Sequence, residues 1–167
     1  MKTRRLDRFL TDALRITSAD LLAYLERRVG RNDASDLLGE TMVVAWRRIT
    51  ELPDDPEHAR MWLFGIARTT LLNHARGEGR RWALSDRLRN QTPVRTAPAA
   101  DQGIEVRDAI GRLDPDLAEI VRLVHWEQLS LVQVAKILDI PDSTVRGRYA
   151  RAKEELRAAL GVADRLE

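Results

Sequence analysis

The sequence predicts an all-α protein of two small helical domains joined by a flexible linker. Three observations predict it. Apolar residues recur at the helical period, and the strand-like runs MVVAW and VRLV sit inside that period. Residues 90–103, NQTPVRTAPAADQG, interrupt it with Pro, Ala, Thr and polar residues. Residues 129–156, LSLVQVAKILDIPDSTVRGRYARAKEEL, read as two short amphipathic helices around a tight turn, the second studded with arginine.

Leu21, Leu22, Leu25 and Val29 mark a first helix, which residues 30–32 break. Asp33 is the expected N-cap of the second, with Asp36 favourable in its first turn. Leu38, Met42, Ala45 and Ile49 share one stripe of it, the expected core face. Pro53 and Pro56 end that helix in a loop, ELPDDPEH. A third helix is expected over residues 61–76, loosened at its end by Gly77 and Gly79. Fully stretched, the linker over 90–103 spans on the order of 45 Å at roughly 3.3 Å per residue, too long to fix two domains rigidly. The boundaries expected are therefore 1–89, 90–103 and 104–163. The second domain opens with a helix over 104–113. Asp114 then caps a helix with Pro115 in its first turn and Ile120, Val121, Leu123 and Val124 on its apolar face.

Composition narrows the function classes. Of 167 residues, 44% are hydrophobic and 32% charged, as in a folded domain rather than a disordered one. Cysteine is absent, which excludes disulfides and thiolate metal sites. No apolar run is long enough for a bilayer, and MKTRRLDRFL lacks the apolar segment of a signal peptide, so no membrane insertion and a cytoplasmic location are expected. Net charge is only +2, but its distribution is uneven. Residues 60–95 carry eight arginines against Glu78 and Asp86. Asp33, Asp36, Glu40, Glu51, Asp54, Asp55 and Glu57 precede them. An acidic patch beside a basic one suggests two partners, one of them polyanionic.

The helix-turn-helix supplies the first candidate site. Ser130 and Gln133 have capping-box spacing, so a helix should begin at Leu131 and face Val134, Ala135 and Leu138 inward with it. Asp139, Ile140 and Pro141 form the turn, and Asp142 or Ser143 caps the next helix. On that helix Val145, Tyr149, Ala152 and Leu156 fall together as a packing stripe. The opposite face carries Ser143, Arg146, Gly147, Ala150 and Arg151, with Thr144 beside it. Small residues let a backbone approach a major groove, and Arg146 and Arg151 can reach base edges or phosphates. Arg148 and Lys153 lie towards the flanks, where phosphate contacts are expected.

These pieces resemble a known family. AIGRLDPDLAEIVRLVHWEQLSLVQVAKILDIPDSTVRGRYARAKEELR is similar to region 4 of bacterial extracytoplasmic-function (ECF) RNA polymerase sigma factors. DASDLLGETMVVAWRRI followed by MWLFGIARTTLLNHARGEGRR resembles region 2 of the same group, in the family's order. The resemblance implies a subunit that binds core RNA polymerase through its β′ clamp helices and β flap, reads the −35 promoter element with the second domain, and opens the −10 element with the first. It implies polymerase contacts at Asp36, Leu37, Glu40, Thr41 and Val44, of which Leu37 and Val44 lie off the expected core stripe. It implies −10 contacts at Trp62, Thr69, Asn73 and Arg76 on one side of the third helix, at Leu52 and Arg60 bounding a base-reading loop, and at Arg80 and Arg81. An anti-sigma factor is a further implied partner. Three residues depart from the family pattern: Thr69 stands where Asn is usual, Gly39 where Gln is common, and Asp139 where the turn usually has Gly.

Two other readings carry different expectations. A stand-alone helix-turn-helix regulator would need a sensor in the first domain, where an acidic helix lies beside a basic one instead. An enzyme acting on nucleic acid would need a catalytic constellation. His58, His74 and His125 are far apart, no metal-ligand spacing links them, and neither a nucleophile–base pair nor a phosphate-cradling glycine loop is present. No cofactor, metal or catalytic residue is expected.

Overall fold

The computed structural model describes residues 2–86 and 101–161, and within them the side chains of residues 3–80, 103 and 105–161. The described residues form helices joined by short connections, with no strand. The chain divides into two units, Met1–Thr92 and Pro93–Glu167.

Unit 1 packs α1 (Lys2–Val29), α2 (Arg31–Arg47) and α3 (Pro56–Asp86) against one another. Leu10, Leu21, Tyr24 and Leu25 of α1 and Leu63 and Phe64 of α3 are fully buried, with the Tyr24 and Phe64 rings edge to face at 5.5 Å. Gly30 alone separates α1 from α2. Its φ of 80° suits glycine, and its N–H closes α1 on the Glu26 carbonyl at 2.9 Å. Asp33 is therefore not the N-cap: α2 starts at Arg31, and Asp33 sits in its first turn.

The core face of α2 differs from expectation. Ala34, Leu37, Thr41 and Ala45 are buried, whereas Leu38, Met42 and Ile49 are only half-buried. The stripe is rotated by about 60°, at 100° per residue, because two alanines rather than large side chains meet the neighbouring helices. Thr41 tolerates full burial because its hydroxyl donates to the Leu37 carbonyl at 2.7 Å.

A 3-10 turn, Ile49–Glu51, follows α2. The loop is shorter than expected, only residues 52–55, because Asp55 caps α3 and Pro56 occupies its first position. Helix α3 also runs through Gly77 and Gly79 to Asp86 instead of loosening there.

Unit 2 contains α4 (Asp101–Arg112), α5 (Pro115–His125), α6 (Leu131–Leu138) and α7 (Asp142–Ala159). Residues 101–103, expected in the linker, belong to α4; residues 90–100 of that expectation lie outside the described residues. Asp114 caps α5 by accepting the Asp116 N–H at 3.0 Å. The Ser130–Gln133 capping box is complete, with both reciprocal bonds formed. Asp139 closes α6 in the left-handed conformation, φ 54°. Its N–H reaches the Lys136 carbonyl and that of Ile140 reaches Ala135, the pairing of a Schellman motif with aspartate in the usual glycine place. Neither Asp142 nor Ser143 caps α7. Pro141 is the N-cap and its carbonyl accepts the N–H groups of Thr144 and Val145. Ile110, Leu113, Leu117, Ala118, Val121 and Ala152 form one core cluster, with Trp126 and Leu156 against it.

Candidate nucleic-acid interface

The open face of α7 follows from what its back buries. Val145 and Ala152 are fully buried and Tyr149 and Leu156 half-buried, which turns Ser143, Arg146, Gly147, Ala150 and Arg151 outward. Thr144 is half-buried at the edge. A Cβ placed at Gly147 would meet nothing within 4 Å, so the centre of this face is a shallow gap flanked by guanidiniums. Arg146 makes no ion pair among the described residues. Arg151 donates from Nε to Glu155 Oε1 at 2.8 Å. Arg148 is tied across to α5, its Nη1 3.1 Å from Asp116 Oδ2. A phosphate that recruited Arg148 would have to displace that carboxylate. Lys153 lies over the Tyr149 ring at 4.8 Å, and the Tyr149 hydroxyl is 3.0 Å from His125 Nε2.

In unit 1, Trp62, Gly65, Thr69, Asn73, Arg76 and Arg80 recur at helical spacing along one side of α3. Thr69, Asn73, Arg76 and Arg80 are exposed and Trp62 and Gly65 half-buried. The Thr69 hydroxyl is already committed to the Gly65 carbonyl at 3.0 Å, and Arg80 Nε donates to the Arg76 carbonyl at 3.3 Å. The side chain of Arg81 lies outside the described residues.

Two expected −10 residues, Leu52 and Arg60, also make contacts within the fold. Leu52 is buried at 6% exposure and anchors the loop from below. Arg60 bridges helices, bonding Asp20 of α1 at 3.2 Å and lying over the Phe64 ring at 4.9 Å. Beside loop 52–55, the first turns of α1 supply a wall that sequence reasoning did not assign. Arg4, Arg5, Arg8 and Phe9 line an open cleft with Asp12 and Asp54. The signal was present in MKTRRLDRFL, but its register on a helix was not.

Within the loop, Asp55 accepts the His58 N–H at 3.0 Å and lies 2.7 Å from His58 Nδ1. The backbone bond first, and the side-chain bond second, hold its carboxyl below the usual carboxylate range.

The outer face of α2 corrects the proposed docking set. Asp36 and Glu40 are exposed. Leu37 and Thr41 are core residues, at 3% and 0% exposure, and offer a partner no surface. Val44 is half-buried. The apolar groups that do face outward are Val43 and Trp46, at 48% and 41% exposure, next to the open Gly39. Spacing of three, four and seven from Asp36 already reaches Gly39, Glu40 and Val43, so this face was recoverable once Leu37 was recognised as core.

Among the described residues no three His, Cys, Asp or Glu side chains form a metal-binding group. No described helix is long and apolar enough to cross a membrane.

The comparisons match two successive stretches of the sequence. The family model for sigma-70 region 2 matches residues 16–81, and that for sigma-70 region 4 matches residues 104–156. The ECF RNA polymerase sigma-E factor of Haemophilus influenzae is 31% identical over 144 residues, covering 78% of this chain and 76% of the relative. The ECF RNA polymerase sigma factor SigL of Mycobacterium tuberculosis is 28% identical over 148 residues, covering 86% and 84%. Among solved structures, the sigma factor RpoE in complex with the anti-sigma factor NepR from Bartonella quintana matches with TM-score 0.66 at 23% identity, over 95% of this chain and 99% of that one. CnrH in complex with the cytosolic domain of CnrY matches with TM-score 0.62 at 22% identity, over 95% and 91%. These two likenesses are likenesses of fold.

Proposed function

The chain belongs to the ECF group of sigma-70 RNA polymerase sigma factors, and on that premise we propose that it is a promoter-specificity subunit whose two modules meet different partners. The first module, residues 1–89, docks on the β′ clamp helices of core polymerase and holds the melted −10 strand. Residues 90–100 connect it to the second, residues 101–163, which meets the β flap and reads the −35 duplex.

The observation that carries this reading is the open face of α7. Gly147 and Ala150 leave room for a groove edge, and Arg146 and Arg151 stand exposed on either side. Ser143 and Thr144 lie at the end that enters first, while Lys153 serves phosphate at the flank and Arg148, paired with Asp116, is held in reserve there. On α3, Trp62, Thr69, Asn73, Arg76 and Arg80, continued by Arg81, offer a ring, hydrogen-bonding groups and cations to an unstacked strand. Stacking contributes about 1–3 kcal/mol per base, comparable to the few kcal/mol that unstacking costs. Leu52 and Arg60 act from within, by setting the loop. On α2, Asp36 and Glu40 offer charge and Val43 and Trp46 apolar area to the clamp, with Leu37, Thr41 and Val44 holding the helix behind them.

The bond-making chemistry of RNA synthesis is then the polymerase's, and this chain acts in the cytoplasm without being an enzyme. The Bartonella quintana relative is bound by an anti-sigma factor, and we extend that class of partner to this chain. Run-off transcription with purified core polymerase on a promoter library tests the reading. New start sites in the presence of the chain are expected. Binding to duplex DNA with no binding to core polymerase would identify a stand-alone regulator instead.

A further inference from the structure

We propose that Glu155 is a positioning residue for Arg151, and through it sets the sequence discrimination of α7. The inference rests on the reading of α7 as the duplex-reading helix. Glu155 lies one turn beyond Arg151 and accepts from its Nε at 2.8 Å. A guanidinium presents two hydrogen-bonding edges. A bond at Nε occupies the inner edge and leaves both terminal nitrogens free, which is the edge that grips O6 and N7 of a guanine. The carboxylate thus orders a long side chain without consuming its reading end.

The neighbouring arginines make the contrast. Arg148 is held through a terminal nitrogen, Nη1, by Asp116 on another helix, so its outer end is taken up. Arg146, exposed on the same helix, makes no ion pair among the described residues. Among the described arginines of α7, only Arg151 combines exposure with a carboxylate at its inner edge: its side chain is 69% exposed against 39% for Glu155, the shape of a propped rather than a withdrawn group. The acidic prop also opposes phosphate, so it weakens contacts made regardless of sequence while favouring the one geometry that reads a base. Both effects raise discrimination.

The test uses holoenzyme assembled from the full chain and core polymerase, with competition binding to a recognised promoter and its single base-pair substitutions across the −35 element. Arg151→Ala first locates the base pair at which discrimination depends on Arg151. Glu155→Ala is expected to lower discrimination at that pair alone, by on the order of threefold to tenfold, a fraction of what one bidentate contact supplies. Binding to unrelated duplex should rise. Glu155→Gln, still an acceptor for Nε, should restore part of the discrimination. In an Arg151→Ala background, Glu155→Ala should change nothing at that pair. An equal change at every position, or a change that persists without Arg151, would overturn the positioning role, leaving only a charge effect. An Arg151→Ala chain that loses affinity uniformly would overturn it as well, because Arg151 would then hold phosphate. In either case wild-type chain still directing transcription would leave the sigma-factor reading intact; failure of that reading is seen separately, as no new start site from any holoenzyme.

Discussion

Asp55 and His58 are joined twice: one Asp55 carboxylate oxygen accepts the His58 backbone N–H at 3.0 Å and faces the ring nitrogen Nδ1 at 2.7 Å. The same carboxylate therefore starts α3, the helix that carries the basic exposed stripe, and fixes the end of loop 52–55. Cap and loop are one device, so a change to either reaches the other.

That device gives unit 1 a pH dependence. Asp55 has its carboxyl held low, chiefly by the His58 backbone bond. A group depressed on folding stabilises above its unfolded value, and the contribution is lost as pH falls through the folded one. Thermal unfolding followed from neutral pH down to pH ~3, below the ordinary Asp value of about 3.9, should show wild type losing an advantage over Asp55→Ala as the solution becomes acidic. Asp55→Asn should keep the cap and lose that pH dependence. Parallel pH profiles for wild type and Asp55→Asn would contradict the assignment.

The two faces of α2 should separate stability from assembly. Leu37→Ala is expected to destabilise unit 1 by about 2–5 kcal/mol, the range for a buried leucine, read as a lower urea midpoint. Val43→Ser with Trp46→Ser should leave that midpoint nearly unchanged and weaken capture by core polymerase at least tenfold, on the order of 1.4 kcal/mol. Asp36→Lys with Glu40→Lys should prevent holoenzyme formation. A docking defect in Leu37→Ala at unchanged midpoint would return Leu37 to the interface.

How much of this was legible turns on a few residues. Asp114-Pro115 was readable as a helix start because Leu117 and Ile120 follow at once, whereas Asp55-Pro56, the same chemistry, was hidden behind Glu57, His58 and Arg60 before the apolar period resumes at Met61. The Ser130–Gln133 box and the turn at Asp139 are local and came through whole. The core face of α2 did not, because Leu37 and Leu38 are adjacent and both fit a stripe; only the position of the other helices chooses between them. The Arg148–Asp116 pair joins residues on different helices and leaves no local trace. Exposed residues of α7 and α3 were legible because helical spacing alone puts them together.

Gly39 is open and helical, so a side chain there costs no clash. Gly39→Ala should stabilise unit 1 by up to about 1 kcal/mol, the difference in helix propensity, detected as a higher urea midpoint. Gly39→Gln should gain somewhat less stability, and it would place a hydrogen-bonding group beside Glu40 and Val43. Tighter capture by core polymerase in Gly39→Gln but not Gly39→Ala would show that this face contacts the partner directly; equal capture by both would exclude a contact at this position.

Asp116 decides how freely Arg148 meets DNA. The pair is solvent-facing, with side-chain exposures of 38% for Arg148 and 62% for Asp116. Such pairs contribute about 0–1 kcal/mol, so releasing Arg148 can raise affinity by at most about fivefold. Asp116→Asn keeps the shape and removes the competing charge. Holoenzyme carrying it should bind promoter duplex more tightly at low salt, with the salt slope steeper by about 0.9, the increment for one additional phosphate contact. Discrimination among −35 sequences should not change, because a phosphate contact carries no base information. Arg148→Gln should cancel the gain when combined with Asp116→Asn. Weaker binding in Asp116→Asn would reverse the assignment: the carboxylate would then be holding Arg148 towards the phosphate rather than competing with it, and the salt slope would become shallower instead of steeper.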